Sequence, residues 1–152
     1  MKIGLISDTH GLLRPQALAA LQGCDQLIHA GDIGKPEILD VLRAIAPLTV
    51  VRGNNDQDDD WAGEVPYRAR LEVEGVGIYI THILADVPKP LPDGIQMVVV
   101  GHSHKPSVQQ IEGVFYINPG SAGPRRFKLP ITVALLHIDE QGIRAELVEL
   151  AV

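Results

Sequence analysis

Apolar and polar positions follow two rhythms in the first third of the chain. Lys2 to Ile6 has the character of a short buried strand, and Gln26 to Ala30 and Leu48 to Val51 repeat it. Between these runs the spacing becomes helical. One helix is predicted from about Arg14 to Leu21, with Pro15 at its start and Gly23 just past its end, the positions these residues prefer. Pro36 opens a second, in which Ile38, Leu39, Leu42 and Ile45 keep the spacing of a core-facing stripe, and Pro47 stops it. Strand, helix, strand, helix, strand predicts a parallel sheet joined by right-handed crossovers.

The second half changes character. Arg70–Val73 and Val76–Thr81 flank Glu74-Gly75, and Val108–Ile111 and Val114–Asn118 flank Glu112-Gly113. Thr132–Ile138 and Ile143–Leu150 flank Asp139-Glu140-Gln141-Gly142. Each reads as a hairpin, with glycine supplying the positive φ of a tight turn. A parallel half followed by an antiparallel half predicts two packed sheets with helices outside, an α/β fold. The proline-rich piece from Asp86 to Asp93 reads as a surface loop with a short helical turn.

At 152 residues the chain reads as one domain spanning 1–152. A domain of this size buries roughly 68–70% of its unfolded surface, so it needs no disulfide. Its single cysteine, Cys24, offers none, and a reduced, cytoplasmic setting is the expectation. Ile3 to Ile6 is too short for a signal sequence, and no apolar run reaches membrane length, so no membrane partner is expected. The net charge of −6 argues against a basic face for long nucleic acid, but leaves room for a small phosphorylated substrate.

Polar residues with metal-ligand chemistry follow strand after strand: Asp8 and His10, then Asp32, then Asn54 to Asp56, then His82, then His102 and His104. Ligands of open α/β sheets bind beyond the carboxyl ends of the strands, where these residues gather. Any one of them alone is an ordinary turn former, helix cap or satisfied histidine. Five strands delivering such residues together make that account weak. Met97-Val98-Val99-Val100-Gly101-His102-Ser103-His104 is the most telling stretch. In an extended backbone the two imidazoles, at i and i+2, would point the same way and converge on one place. His29 and His137 fall inside predicted strands and read as structural. Oxygen and imidazole without thiolate suit Mn, Fe, Zn or Ni alike.

Asp8-Thr9-His10, Gly31-Asp32, Gly53-Asn54-Asn55-Asp56, Thr81-His82 and Gly101-His102-Ser103-His104 resemble, in order and spacing, the motifs of calcineurin-like metallophosphoesterases. Asn118-Pro119-Gly120-Ser121, with Pro124-Arg125-Arg126 behind it, resembles the compact bacterial and archaeal branch. The likeness covers essentially the whole chain. It implies the four-layer αββα sandwich of two packed mixed β-sheets flanked by helices. It also implies two divalent ions, Mn²⁺ foremost, with Zn²⁺, Fe²⁺ and Ni²⁺ as alternatives. By analogy Asp8, His10, Asp32 and His104 would hold one ion; Asp32, Asn54, His82 and His102 would hold the other. His102 and His104 would then span the pair. Attack on the substrate would come from a hydroxide shared by the two ions, with no side-chain nucleophile.

The implied activity is phosphoester hydrolysis, with a small or nucleotide-like phosphodiester as the expected substrate. A phosphomonoesterase using the same centre is the alternative. A protein-docking scaffold, the use a retromer subunit makes of this fold, is the rival of another class. A homo-oligomer is compatible with all three. Two departures from the family pattern stand out. Asn55 occupies a position where many relatives carry a histidine able to donate a proton to the leaving group, and Ile83 follows His82 where a glycine is usual. Asn54, Arg125 and Arg126 are candidates to bind a substrate phosphate. Arg14 reads as the exposed start of a helix. The run from Asp56 to Asp60 reads as solvated except for Asp56, which would brace the site. Trp61 either packs down or walls a nucleobase.

Overall fold

The computed structural model describes residues 1–57 and 59–152, so Asp58, within the expected acidic loop, lies outside the described residues. The chain runs β1 (Lys2–Ile6), α1 (Pro15–Leu21), β2 (Gln26–His29), α2 (Pro36–Arg43) and β3 (Leu48–Val50). Then come β4 (Arg68–Val73), β5 (Val76–Thr81), β6 (Ile95–Val99), β7 (Ser107–Ile111), β8 (Val114–Asn118), β9 (Thr132–Asp139) and β10 (Gly142–Glu149). Both α-helices begin with proline at the first turn, where its missing N–H costs nothing.

Two five-stranded sheets form, in the orders β10-β9-β1-β2-β3 and β4-β5-β6-β8-β7. The expected split into a parallel half and an antiparallel half does not hold sheet by sheet. The β9–β10 hairpin returns to pair antiparallel with β1, so it closes the otherwise open edge of the first parallel group. In the second sheet β5, β6 and β8 run parallel, with β4 and β7 antiparallel at the edges. Both sheets are mixed, as the family resemblance implies.

The sheets meet over Ile3, Leu5, Ile28, Ile78, Ile80, Met97 and Ile117, all fully buried. Burial of each such side chain contributes about 1.5–3 kcal/mol. The outer face of the first sheet carries both helices through Leu21, Ile38, Leu39 and Leu42. Gly4 permits that contact, because a Cβ there would lie 2.6 Å from Leu21 and 2.8 Å from Leu27. The outer face of the second sheet is covered differently: Val87 and Leu91 of the proline-rich loop lie over Tyr79, Val98 and Val100. The segment around that loop contributes a 3-10 turn at Leu84–Asp86. Trp61 packs against the helix-side core. No helix is long and apolar enough to cross a membrane, among the described residues.

Candidate metal centre

The strands end at the same edge of the sandwich, and the chain turns sharply there. Asp8 (φ 56°), His10 (φ 45°), Asp32 (φ 58°), His102 (φ 72°) and His104 (φ 63°) all adopt the left-handed conformation. It costs a non-glycine residue of order 1–3 kcal/mol and persists only where the surroundings enforce it. The expectation that His102 and His104 sit on extended backbone and converge is therefore corrected. Ser103 N–H donates to the Gly101 carbonyl at 2.9 Å, which closes a tight turn and sends the two rings apart.

His104 joins Asp8 and His10; His102 joins Asp32 and His82. Within each trio the donor atoms lie within 4.8 Å of one another. His10 Nε2 is 3.2 Å from His104 Nε2, and Asp8 Oδ1 lies 3.6 Å and 3.4 Å from these two nitrogens. The trios also face each other. Asp32 Oδ2 is 3.1 Å from His82 Nε2 and 3.6 Å from His10 Nε2, and Asp8 Oδ1 is 3.7 Å from His82 Nε2. Each carboxylate thus borders both trios. Asn54 lies at the rim, its Oδ1 3.1 Å from His102 Nδ1.

The protonation pattern explains what these atoms suit. His82 Nδ1 donates to the Ala30 carbonyl at 2.7 Å, which leaves a lone pair on Nε2 aimed at two carboxylates. Lone pair and anion repel unless a proton or a cation lies between them. Asp8 Oδ1 and His82 Nε2 are buried without a hydrogen-bond partner among the described residues, a costly condition for polar atoms. Ligands held at about 2.1 Å by one tetrahedral ion stand roughly 3.4 Å apart, close to the spacings observed. The donor set therefore fits divalent cations bound by oxygen and imidazole.

The charges agree. Burial raises the Asp8 carboxyl, but the imidazoles of His10 and His104 beside it, the nearby His82 and the Ser7 hydroxyl outweigh it and hold it well below the usual carboxylate range. Asp32 is likewise lowered, with burial opposed by His82 and the Asn55 N–H. His10 is raised by its contact with Asp8, against burial and the Arg126 charge. His82 is raised despite burial, through Asp32 and Asp8. Protons and metal ions compete for the same nitrogens.

Hydrogen bonds from neighbouring residues fix these candidate ligand atoms. Ser7 Oγ donates to Asp8 Oδ2 at 2.7 Å, as does His102 N–H at 3.1 Å, so only Oδ1 stays free. Asn55 donates to Asp32 from its backbone N–H at 2.9 Å and from Nδ2 at 3.3 Å. Asp56 is buried, and its carboxylate accepts N–H groups of Ile33, Gly34 and Gly53 at 3.0 to 3.1 Å. It ties the Asp32 loop to the Asn54 loop. Asn118 Nδ2 donates to the Gly101 carbonyl and Ser103 Oγ, and Ser121 Oγ to the Asp8 carbonyl. Gly101 and Gly31 leave no room for a side chain: a Cβ would fall 2.7 Å from Asp8 Oδ2 and from His82 Nδ1, respectively. Asn55, Asn118 and Ser7 position the candidate ligands, a role the strand-end pattern gives to none of them, although it includes Asn55. Their signal is adjacency: each lies beside a predicted ligand in sequence or at the end of a strand next to one.

Other candidates fall in different places. Arg125 and Arg126 are exposed and line a cavity of ≈ 300 Å³ with His10, Asn55 and His104. Arg14 is half-buried rather than exposed, because its Nε donates to the Gly123 carbonyl at 3.1 Å. Trp61 lines a separate surface cavity with Pro36, Arg43 and Thr49, so it walls no base beside the trios. Ile83 takes an ordinary extended φ of −110°, and the turn needs no glycine there. His29 and His137 lie in strands, outside both trios.

Comparison with known proteins places the chain in a family. A probable metallophosphoesterase of Methanothermobacter thermautotrophicus is 32% identical, over 97% of this chain and 92% of its own length. The phosphodiesterase YfcE of Escherichia coli K12 is 29% identical, over 95% of this chain and 92% of its own. The structure of Vps29 complexed with Zn²⁺ from Entamoeba histolytica superposes with a TM-score of 0.73 at 22% identity, covering 98% of this chain and 99% of that one. The calcineurin-like phosphoesterase superfamily domain matches residues 1–141, and the chain belongs to that superfamily.

Proposed function

We propose that the protein is a phosphodiesterase that uses two divalent ions. Asp8, His10 and His104, with Asp32, would hold one ion. Asp32, His82 and His102, with Asn54, would hold the other. The single observation that carries this reading is the pair of trios facing each other across two carboxylates, with buried oxygen and nitrogen atoms that have no hydrogen-bond partner among the described residues. Two bound divalent ions supply Lewis acidity, activate a water molecule and offset charge on the phosphoryl oxygens.

The chain's own residues then position and exclude. Ser7 and the His102 N–H orient Asp8, and Asn55 orients Asp32. Arg125 and Arg126 line the neighbouring cavity, where a guanidinium fork matches phosphate oxygens. Asn55 is spent on Asp32, and an amide is no general acid at neutral pH. Departure without a protonating side chain favours diesters with good leaving groups over alkyl monoesters.

The test is a panel of phosphodiesters and phosphomonoesters offered to the Mn²⁺-loaded protein, with Asp32→Ala as control. Diester hydrolysis lowered at least about 100-fold in the variant is expected. Much faster monoester cleavage would replace the diesterase reading with the monoesterase one. A second reading, a docking scaffold, draws on the likeness to Vps29. It requires a purified protein without metal and without activity after Mn²⁺ is added.

A further inference from the structure

A second cavity, of ≈ 260 Å³, adjoins the other end of the centre, on the His102 side. Ile83, Leu84 and Tyr116 supply apolar walls, His102 opens onto the candidate metal residues, and Ser107 and Gln109 stand at the wall. Ser107 is half-buried and Gln109 exposed, and neither side chain makes a hydrogen bond among the described residues, whereas Asn118 beside them is engaged with Gly101, Ser103 and Gly120. Leu84, one of the apolar wall residues, is 56% exposed. The two cavities therefore differ in kind. The one beside His10 and His104 is cationic; the one beside His102 is apolar with two free polar groups.

Resting on the phosphodiesterase reading, we propose that the His102-side cavity is a subsite for a flat heteroaromatic substituent of the substrate, of nucleobase size. Its volume lies below the roughly 300–1,000 Å³ of pockets for drug-sized ligands, so it suits one ring system. Apolar walls take the ring faces, and Ser107 and Gln109 meet ring heteroatoms, contacts that an acyl chain has no atoms to make. The diester is thereby oriented, with its ring substituent toward His102 and any further anionic group toward Arg125 and Arg126. The role that Trp61 cannot fill falls to this cavity.

Amide-shift mapping with thymidine 5′-monophosphate, against methyl phosphate as control, tests the subsite on the Zn²⁺-loaded chain, whose ion is diamagnetic. Shifts at Leu84, Ala85, Gln109 and Tyr116 are expected with the nucleotide alone, and Leu84→Asp, an exposed substitution, should abolish them. The same variant should raise KM for thymidine 5′-(p-nitrophenyl phosphate) about tenfold, with kcat little changed. Unperturbed amides there overturn the subsite, whether or not a diester is hydrolysed. Perturbed amides without any turnover leave the subsite standing and overturn the phosphodiesterase reading instead.

Discussion

His29 is fully buried in β2, and its ring is held in one tautomer from both sides. Gly31 N–H donates to Nδ1 at 3.0 Å, so Nε2 carries the proton and donates to Thr9 Oγ1, which in turn donates to the Ile33 carbonyl at 2.8 Å. A second proton on Nδ1 would face the Gly31 N–H, and burial lowers the ring's pKa to about 4. The unfolded chain takes up that proton near 6.5, so this residue's contribution is complete above pH 6.5. It declines as pH falls and levels off below about 4, a loss of roughly 3 kcal/mol in all. Urea unfolding in EDTA from pH 7.5 to 4.5 should show a shallower decline for His29→Gln than for the parent chain. An unchanged slope would mean that the ring is not buried neutral. Asp56 is a second case. Asp56→Asn exchanges an acceptor oxygen for a donor among three N–H groups and should lose about 1–3 kcal/mol in chemical unfolding. Mn²⁺ affinity, read by calorimetry, should weaken about 10–100-fold as the two loops separate. Sequence already marks Asp56 as a brace, but the three amides it binds come from two loops that only folding brings together.

At the scale of elements, hairpins and helices were legible because their signals are local. Glu74-Gly75 and Glu112-Gly113 both take two consecutive positive φ angles, the turn that glycine at the second position announces. Glutamate at the first position is the poorer fit, since αL costs an ordinary side chain about 1–2 kcal/mol while asparagine tolerates it. Glu112→Asn, at an exposed tip between β7 and β8, should therefore raise the unfolding free energy by about 0.5–1 kcal/mol, visible as a higher urea midpoint at unchanged slope. The Gly101–His104 turn was not legible in the same way. An apolar run followed by His-Ser-His reads as continuing strand. The backbone is bent left-handed by Asn118, Asp8 and a Gly101 site closed to side chains, partners distant in sequence.

For the whole molecule, the exposed cost of an unmet centre predicts a large response to metal. Asp8 Oδ1 and His82 Nε2 lack hydrogen-bond partners among the described residues, and His10 and His104 bring ring nitrogens to 3.2 Å. Metal at 100 times its Kd should stabilise the fold by about 2.7 kcal/mol, which raises Tm by roughly 5–10 °C for a chain of this length. Scanning calorimetry with EDTA and with Mn²⁺ measures it, and Asp32→Ala should lose most of the shift. A Tm indifferent to metal would remove the basis for the centre.

Sequence by itself determined the strand and helix order, the three hairpins and the strand-end residues, because periodicity, turn chemistry and residue type act over a few neighbours. Tertiary structure alone decided that β9 and β10 close the edge of β1, since pairing between distant strands depends on which edges remain free. It also decided the left-handed turn by which His102 and His104 reach the separate groups that the family resemblance had already implied, that Asn55 is committed to Asp32, and that Trp61 faces the core. Each of these depends on direction, and a side chain's direction at a strand end is set by contacts made from elsewhere in the chain.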